Sequence, residues 1–244
     1  MEVLKKNYEI ILWDIDDTLI DFKASEKMAL RSCFAEYGVE LSDEDIDVYS
    51  NINHNYWKLL EQGKVVKTEM LVQRFVDFIE CLKQSETEVA CKGVKQPDID
   101  GADINMKYQL ALGDYPVMYE DALAICTELK GKKRQYAVTN GTIVAQEKKL
   151  KNTGLDQIFE QIFISDEVGY QKPDVRFFQH CFENISDFHI ESVLLIGDSL
   201  SSDMKGGNLA GVDCCWANMR NEEKPEDLRI DYEIHKLKEL RDIL

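Results

Sequence analysis

From Tyr8 to Thr18 the chain reads YEIILWDIDDT, an apolar run that stops abruptly at an acidic loop. A short run in which apolar and polar residues do not alternate is typical of a strand buried on both faces of a parallel sheet. Four later runs have the same character: residues 135–139, 161–165, 192–196 and 213–217. Because segments with helical periodicity separate them, the pattern predicts right-handed βαβ units and an α/β core whose parallel sheet is covered on both faces.

The stretch from about residue 20 to residue 112 has helical patterns and no convincing strand. Thr68–Leu82 is amphipathic, and Ser42 can cap a helix whose first turn is acidic. These patterns indicate a helical module inserted after the first strand. We therefore predict a core formed by residues 1–19 and 113–244, and an all-helical domain formed by residues 20–112.

The chain is strongly acidic, with 29 Lys and Arg against 46 Asp and Glu among 244 residues, a formal net charge of −17. Such a protein repels phosphate backbones and anionic lipid surfaces, so we expect neither a nucleic-acid polymer nor a membrane as partner. No apolar run approaches the roughly 20 residues of a membrane span. An anionic substrate would need a local cation to overcome this field, which favours a metal.

The cysteines and the N-terminus bear on the compartment. The first seven residues lack the basic-then-apolar layout of a signal peptide, and the seven cysteines include no CxxC pair. An odd number of cysteines without export signals favours reduced thiols, so we expect a cytoplasmic protein. We further expect a monomer or a weak homodimer.

Polar residues follow the predicted strands where a parallel sheet binds its ligands, at the carboxyl ends. They are Asp14 and Asp16 after the first strand, Thr139, Asn140 and Gly141 at the end of the second, Lys172 in the loop after the third, and Asp198 after the fourth, with Asp203 one turn later. Carboxylates with a lysine and a hydroxyl can together bind Mg²⁺ and a phosphoryl group. The sequence therefore predicts an enzyme that cleaves phosphate esters.

The acidic pair after the first strand can divide the chemistry. Asp14 would attack phosphorus and form an aspartyl phosphate, while Asp16 would protonate the leaving oxygen and then deprotonate the hydrolytic water. Mg²⁺ fits between Asp14 and Asp198 and would screen their repulsion. The side chain of Asp17 is expected to face away from this crevice.

The remaining polar residues would bind the phosphoryl group or support the site. Thr139 and the backbone amides near Asn140 and Gly141 can donate to phosphoryl oxygens. Lys172 would contact the same oxygens and keep the nucleophile ionised. Asp203 is expected to orient Lys172 or metal-bound water rather than to bind the metal directly.

Taken in order, these motifs resemble the haloacid dehalogenase superfamily. The motifs are DIDDT from Asp14, the strand-end Thr139, Lys172-Pro173, and GDS from Gly197 followed by Asp203. The resemblance spans essentially the whole chain and implies a Rossmann-like, doubly wound core with a mobile helical cap inserted between the first two motifs. It also implies that the backbone carbonyl of Asp16 binds Mg²⁺.

A finer resemblance is to bacterial pyrimidine 5′-nucleotidases of the house-cleaning type. It is carried by TNG from Thr139, ISDEVG from Ile164, CWAN from Cys215, and the cap segment 53–63. It implies a (deoxy)pyrimidine nucleoside monophosphate as the substrate. In the cap segment, Trp57 could stack on a base, with Asn53, His54 and Tyr56 as further candidate contacts.

Three other functions are alternatives to a nucleotide phosphatase. A sugar-phosphate or broad-specificity organophosphate phosphatase of the same superfamily fits the same four motifs. A dehalogenase needs no acid to protonate its leaving group. The presence of Asp16, which could act as such an acid, therefore argues against a dehalogenase. A phospho-acceptor signalling domain is more remote, because receiver domains carry the acceptor Asp on a middle strand, whereas here the middle strands end in Thr139 and Ser165.

Overall fold

The computed structural model describes residues 6–84 and 98–244. Cys91 and the first five residues of the N-terminal segment lie outside this range, and the six described cysteines are free thiols. The chain divides into two compact units, one formed by Met1–Phe22 with Pro116–Leu244 and the other by Lys23–Tyr115. The domain limits given above, after residues 19 and 112, stay a prediction.

The first unit is built on a six-stranded sheet in which every neighbouring pair of strands is parallel. Its strands are β1 (Ile10–Trp13), β2 (Arg134–Thr139), β3 (Gln161–Ile164), β4 (Val193–Gly197), β5 (Asp213–Ala217) and β6 (Tyr232–Ile234). The order across the sheet is β3-β2-β1-β4-β5-β6. The predicted doubly wound α/β core is therefore confirmed, with β1 in a central position.

The α-helices among the described residues are named in chain order. They are α1 (Phe22–Ala35), α2 (Asp43–Glu61), α3 (Lys67–Gln84), α4 (Gly101–Asp114), α5 (Ala122–Leu129), α6 (Ile143–Thr153), α7 (Ser165–Val168), α8 (Val175–Glu183), α9 (Lys205–Ala210) and α10 (Leu240–Ile243). Short 3₁₀ turns cover Leu155–Gln157, Ile190–Ser192 and Leu237–Glu239, and a π-helical turn covers Leu200–Met204. In the range the structure describes, no helix is both long and apolar enough to span a bilayer.

Both faces of the sheet are buried, which explains why β1 lacks alternation. Ile11 and Trp13 pack into one cluster with the helix α5, while Ile10 and Leu12 pack into another that includes Phe177 of α8. All four residues of β1 are at most 1% exposed. Burial of one such side chain contributes roughly 1.5–3 kcal/mol. The central strand is thereby fixed, and with it the position of the acidic loop that follows.

The strand β6 was not predicted from the sequence. It pairs with β5 at the edge of the sheet, and only Ile234 of its three residues is fully buried. An edge strand has one partner and a partly solvated face, so its residues need not be a continuous apolar run.

The second unit consists of helices, and residues 23–84 and 98–115 include no strand. Ser42 caps α2 as predicted: Asp45 N donates to Ser42 Oγ at 3.1 Å, and Ser42 N donates to the Asp45 carboxylate at 2.9 Å. Inside this unit, Phe75 and Tyr108 lie edge to face with ring centres 5.2 Å apart. Arg74 is buried beside them, with its guanidinium carbon 5.1 Å from the centre of the Tyr108 ring.

Candidate active site

Asp14 directly follows β1, at the carboxyl end of this central strand. Its backbone N–H donates to Ile196 O at 2.9 Å, which extends the pairing with β4 by one residue. Its side chain is 9% exposed, so the carboxylate is nearly removed from water. A carboxylate in this position needs cationic or hydrogen-bonding partners.

Lys172 is the partner of Asp14. Its ammonium donates to Asp14 Oδ1 at 2.6 Å, to Asp203 Oδ1 at 2.6 Å and to Val138 O at 2.8 Å, and its side chain is 1% exposed. All three ammonium protons are therefore used. Burial lowers the pKa of Lys172, but the two carboxylates outweigh it and raise that pKa above its usual value.

Three carboxylates converge at this point, since oxygens of Asp14, Asp198 and Asp203 all lie within 4.8 Å of one another. Burial and the neighbouring carboxylates raise the pKa of Asp14 to about 7, although Lys172 acts in the opposite direction. Burial and the Asp14 charge raise the pKa of Asp198 well above its usual value. One lysine thus leaves excess negative charge, and the all-oxygen donor set fits a hard cation such as Mg²⁺.

Asp203, the residue predicted to support the site, is the second carboxylate that contacts Lys172. Both of its oxygens are engaged: Oδ1 accepts from Lys172, and Oδ2 accepts from Ser199 N at 3.1 Å. Asp203 is only 1% exposed. It holds Lys172 between two carboxylates.

The loop after β2 is ordered by its own side chains. Asn140 Nδ2 donates to Lys172 O, and Lys172 N donates to Asn140 Oδ1, both at 2.9 Å. Gly141 N donates to Thr139 Oγ1 at 3.1 Å. The Asn140 side chain therefore fastens the Lys172 loop, so any contact of this segment with a phosphoryl group would come from Thr139 or backbone amides.

The carboxylate of Asp16 lies apart from the three-carboxylate cluster. Its Oδ2 accepts from Gln146 Nε2 at 2.7 Å, and its Oδ1 accepts from the Lys149 ammonium. Of Asp16, only the backbone carbonyl was expected to bind the metal. The side chain was expected to act as the acid and base of the reaction. Gln146 and Lys149 were not predicted, although their spacing of three residues on the helix after Thr139–Gly141 puts them on one face.

Comparison with known proteins identifies the family. Residues 8–211 match the model of the haloacid dehalogenase-like hydrolases. The chain belongs to this family. It is 33% identical to the pyrimidine 5′-nucleotidase PynA of Streptococcus pneumoniae over 97% of this chain and 95% of that protein. It is 26% identical to the pyrimidine 5′-nucleotidase YjjG of Escherichia coli over 97% of this chain and 98% of that protein.

A solved structure agrees with this assignment. The crystal structure of YfnB from Bacillus subtilis bound to magnesium has a TM-score of 0.87 with this hydrolase. The two are 36% identical, and the match covers 98% of this chain and 99% of that one. The predicted superfamily is thereby confirmed, and together with the nucleotidase relatives it confirms the prediction of a phosphatase.

Asp17 and Arg220 form an ion pair at the rim of the site in this hydrolase. Arg220 Nη2 donates to Asp17 Oδ1 at 2.6 Å, and Phe22 N donates to the same oxygen at 3.1 Å. Asp17 has a left-handed φ of 61°. With Asp198 and Trp216, the pair lines a small cleft. Asp17 is thus committed to a structural contact, but it borders the crevice instead of facing away from it.

Two candidate base contacts of the helical unit are engaged within that unit. Asn53 is buried, with Nδ2 donating to Glu26 Oε1 at 2.9 Å and Oδ1 accepting from Arg74 Nη1 at 2.6 Å. Trp57 packs against the cluster that contains Leu60. Asn53 therefore has a structural role inside the unit, and no contact of Trp57 with a ligand is assigned.

Proposed function

We propose that this hydrolase is a Mg²⁺-dependent phosphomonoesterase that uses Asp14 as its nucleophile and acts on (deoxy)pyrimidine nucleoside monophosphates. The observation that carries the chemistry is the double contact of Lys172 with Asp14 and Asp203 beside Asp198. A carboxylate whose orientation is fixed by a buried ammonium is suited to attack a phosphoryl group.

The chain's own residues divide the reaction into two steps. In the first, an Asp14 oxygen bonds to phosphorus while the ester P–O bond breaks, and Asp16 gives its proton to the departing oxygen. In the second, a water attacks phosphorus, Asp16 takes a proton from that water, and the bond between phosphorus and Asp14 breaks. Asp14 and inorganic phosphate are thereby released, and Asp16 regains its proton.

Several groups would stabilise the negative charge of the transferring phosphoryl group. Lys172 and the backbone amides near Asn140 and Gly141 provide positive charge and donors, together with the Thr139 hydroxyl. Mg²⁺, held by Asp14, Asp198 and the backbone carbonyl of Asp16, would offset the charge of the carboxylates and of the phosphate. Asp203 supports the site by orienting Lys172.

The substrate class rests on relatives. PynA and YjjG are named pyrimidine 5′-nucleotidases, and both align with nearly the full chain, including the helical unit. We propose that the predicted helical domain, residues 20–112, acts as the cap that selects the leaving group. A cytoplasmic location and a monomeric or weakly dimeric state are part of the same proposal.

The proposal is tested by measuring phosphate release from a panel of esters with Mg²⁺ and with EDTA. The panel contains uridine, deoxyuridine, thymidine, adenosine and guanosine 5′-monophosphates and glucose 6-phosphate. We expect a preference for the pyrimidine nucleotides, no turnover in EDTA, and no turnover by Asp14→Asn. The matched control is Asp227→Asn, which removes an exposed carboxylate of the same unit.

Each part of the proposal can fail separately. A preference for glucose 6-phosphate would overturn the nucleotide assignment and favour a sugar-phosphate phosphatase. Full activity in EDTA would overturn the metal requirement. Substantial activity in Asp14→Asn would overturn the nucleophile, and a long-lived phosphoprotein without turnover would indicate a signalling domain.

A further inference from the structure

Two buried side chains of α6 hold the carboxylate of Asp16. Gln146 Nε2 donates to Oδ2 at 2.7 Å, and the Lys149 ammonium donates to Oδ1. Gln146 is 0% exposed and Lys149 is 1% exposed. The Asp16 side chain itself is 26% exposed, so without these donors its carboxylate could turn towards solvent.

The position of α6 fixes both donors. Thr142 caps the helix by accepting from Ala145 N at 3.4 Å, which starts the helix immediately after the loop at the end of β2. At Gly141 a Cβ atom would lie 2.1 Å from Gln146 Nε2, so the glutamine reaches this place only because residue 141 is a glycine. The Lys149 ammonium lies 5.1 Å from the centre of the Phe22 ring, which packs over it.

The hydrogen bonding of Gln146 argues against a purely structural role. Within residues 6–84 and 98–244, no donor reaches its buried Oε1 atom. A buried acceptor without a donor lowers the stability of the folded state, because it has lost its hydrogen bonds to water. A leucine or methionine would avoid that loss, so the hydrogen bond from Nε2 to Asp16 is what explains a glutamine at this position. The contact with Asp16 also explains the buried lysine at position 149, because burying an ammonium group is unfavourable unless it is paired with an anion.

Resting on the function proposed above, we propose that Lys149 and Gln146 are positioning residues that hold the Asp16 carboxyl group where it transfers its proton to the leaving oxygen. Proton transfer requires the acid within hydrogen-bond reach of that oxygen. A misplacement of about 1 Å can reduce the rate about 10²-fold. Neither residue needs to touch the substrate, because both act through Asp16.

The test compares two esters with the same phosphoryl group and different leaving groups. One is the alkyl phosphate that the wild type prefers, which is uridine 5′-monophosphate under the proposed function. The other is p-nitrophenyl phosphate, whose phenolate departs without a proton. We expect Lys149→Met and Gln146→Leu to lower kcat on the alkyl phosphate by about 10²-fold, and kcat on p-nitrophenyl phosphate by less than about 3-fold.

Coupling to Asp16 provides a second readout. In an Asp16→Asn background, Lys149→Met should lower kcat on the alkyl phosphate no further, since residues that act through one group are not additive. Lys151→Met, which removes an exposed lysine of the same helix, should match the wild type on both esters. Thermal unfolding of each variant identifies any loss of fold, and Gln146→Leu carries the test if Lys149→Met does not fold.

The outcomes separate this inference from the proposed function. An equal fall on both esters, no fall on either, or full additivity with Asp16→Asn would overturn the positioning role while leaving a working phosphatase. A wild type that releases phosphate from neither ester would overturn the proposed function, and the positioning role with it.

Discussion

A Cβ atom on Gly197 would lie 2.4 Å from Cγ of Asp203. The end of β4 must therefore be a glycine for Asp203 to occupy its position, where it accepts from Lys172 at 2.6 Å and from Ser199 N at 3.1 Å. The glycine of the GDS motif thus has a steric role. Because it has no side chain, it leaves space for the Asp203 carboxylate to reach Lys172.

We predict that Gly197→Ala impairs catalysis, although it adds only one methyl group. The added methyl group must push Asp203 away from Lys172, and overpacking at a buried site also lowers the free energy of unfolding by about 1–3 kcal/mol. We expect kcat to fall about 10-fold or more, because the Lys172 ammonium loses its fixed position. The measurements are steady-state kinetics and denaturant unfolding. Ser201→Ala, an exposed change in the following turn, is the control, and wild-type kcat in a folded Gly197→Ala would contradict this account.

A second prediction concerns the charge balance around Lys172. Lys172→Met strands the carboxylates of Asp14 and Asp203 in a nearly dry site, and removal of one partner of a buried pair typically costs about 3–5 kcal/mol. We expect a loss of this size in the free energy of unfolding measured with urea in EDTA. The double variant Lys172→Met with Asp203→Asn should be more stable than Lys172→Met alone, because one stranded charge is gone. A double variant that is less stable by the sum of the single losses would count against the charge explanation.

The sequence was sufficient for the central sheet and for the residues directly after its strands. Asp14 and Lys172 could be predicted because parallel strands bring their carboxyl ends to one edge whatever lies between them. Lys149 could not be predicted. The helix α6 carries lysines at 148, 149 and 151, and only the packing of that helix decides which of them is buried against Asp16.

Asn53 shows the same limit in the helical unit. In the sequence it is a polar residue on a helix beside aromatic residues, a pattern that equally suits a ligand contact or a buried amide. Its partners, Glu26 and Arg74, are 27 and 21 residues away and belong to two other helices. A hydrogen-bond network of this kind exists only once the helices have packed, so spacing along the chain does not reveal it.

A third prediction links the proposed Mg²⁺ site to pH. Burial and the neighbouring carboxylates raise the pKa of Asp14 to about 7, and similar causes raise the pKa of Asp198. Without metal, the folded state keeps protons that the unfolded chain releases near pH 4, so the contribution of Asp14 to stability is lost as pH rises from about 4 to about 7. Mg²⁺ competes with those protons. We therefore expect the increase in Tm caused by Mg²⁺ to be small near pH 5 and to grow as the pH rises through about 7, where the Asp14 carboxyl loses its proton.

Two variants serve as controls for the Mg²⁺ experiment, and one set of outcomes would contradict it. Binding at a hundredfold excess over Kd would add about 2.7 kcal/mol to the free energy of unfolding. Asp198→Asn should lose most of the Mg²⁺-dependent increase in Tm, whereas Asp227→Asn should keep it. An increase that is equal at both ends of the pH range, or that persists in Asp198→Asn, would show that Mg²⁺ does not bind at these carboxylates.

The last prediction concerns Arg74 and the stability of the helical unit. Arg74 is 1% exposed, and it donates to Asn53 Oδ1 at 2.6 Å and to Asn105 Oδ1 at 3.1 Å. A lysine keeps the charge but cannot donate in two fixed directions or stack on the Tyr108 ring. We expect Arg74→Lys to lower the free energy of unfolding by about 2–4 kcal/mol, since it leaves a buried amide oxygen without its donor. Arg31→Lys, a matched change at an exposed site, should stay within about 0.5 kcal/mol of the wild type. Denaturant unfolding measures both, and equal small effects would mean that the buried guanidinium contributes only its charge.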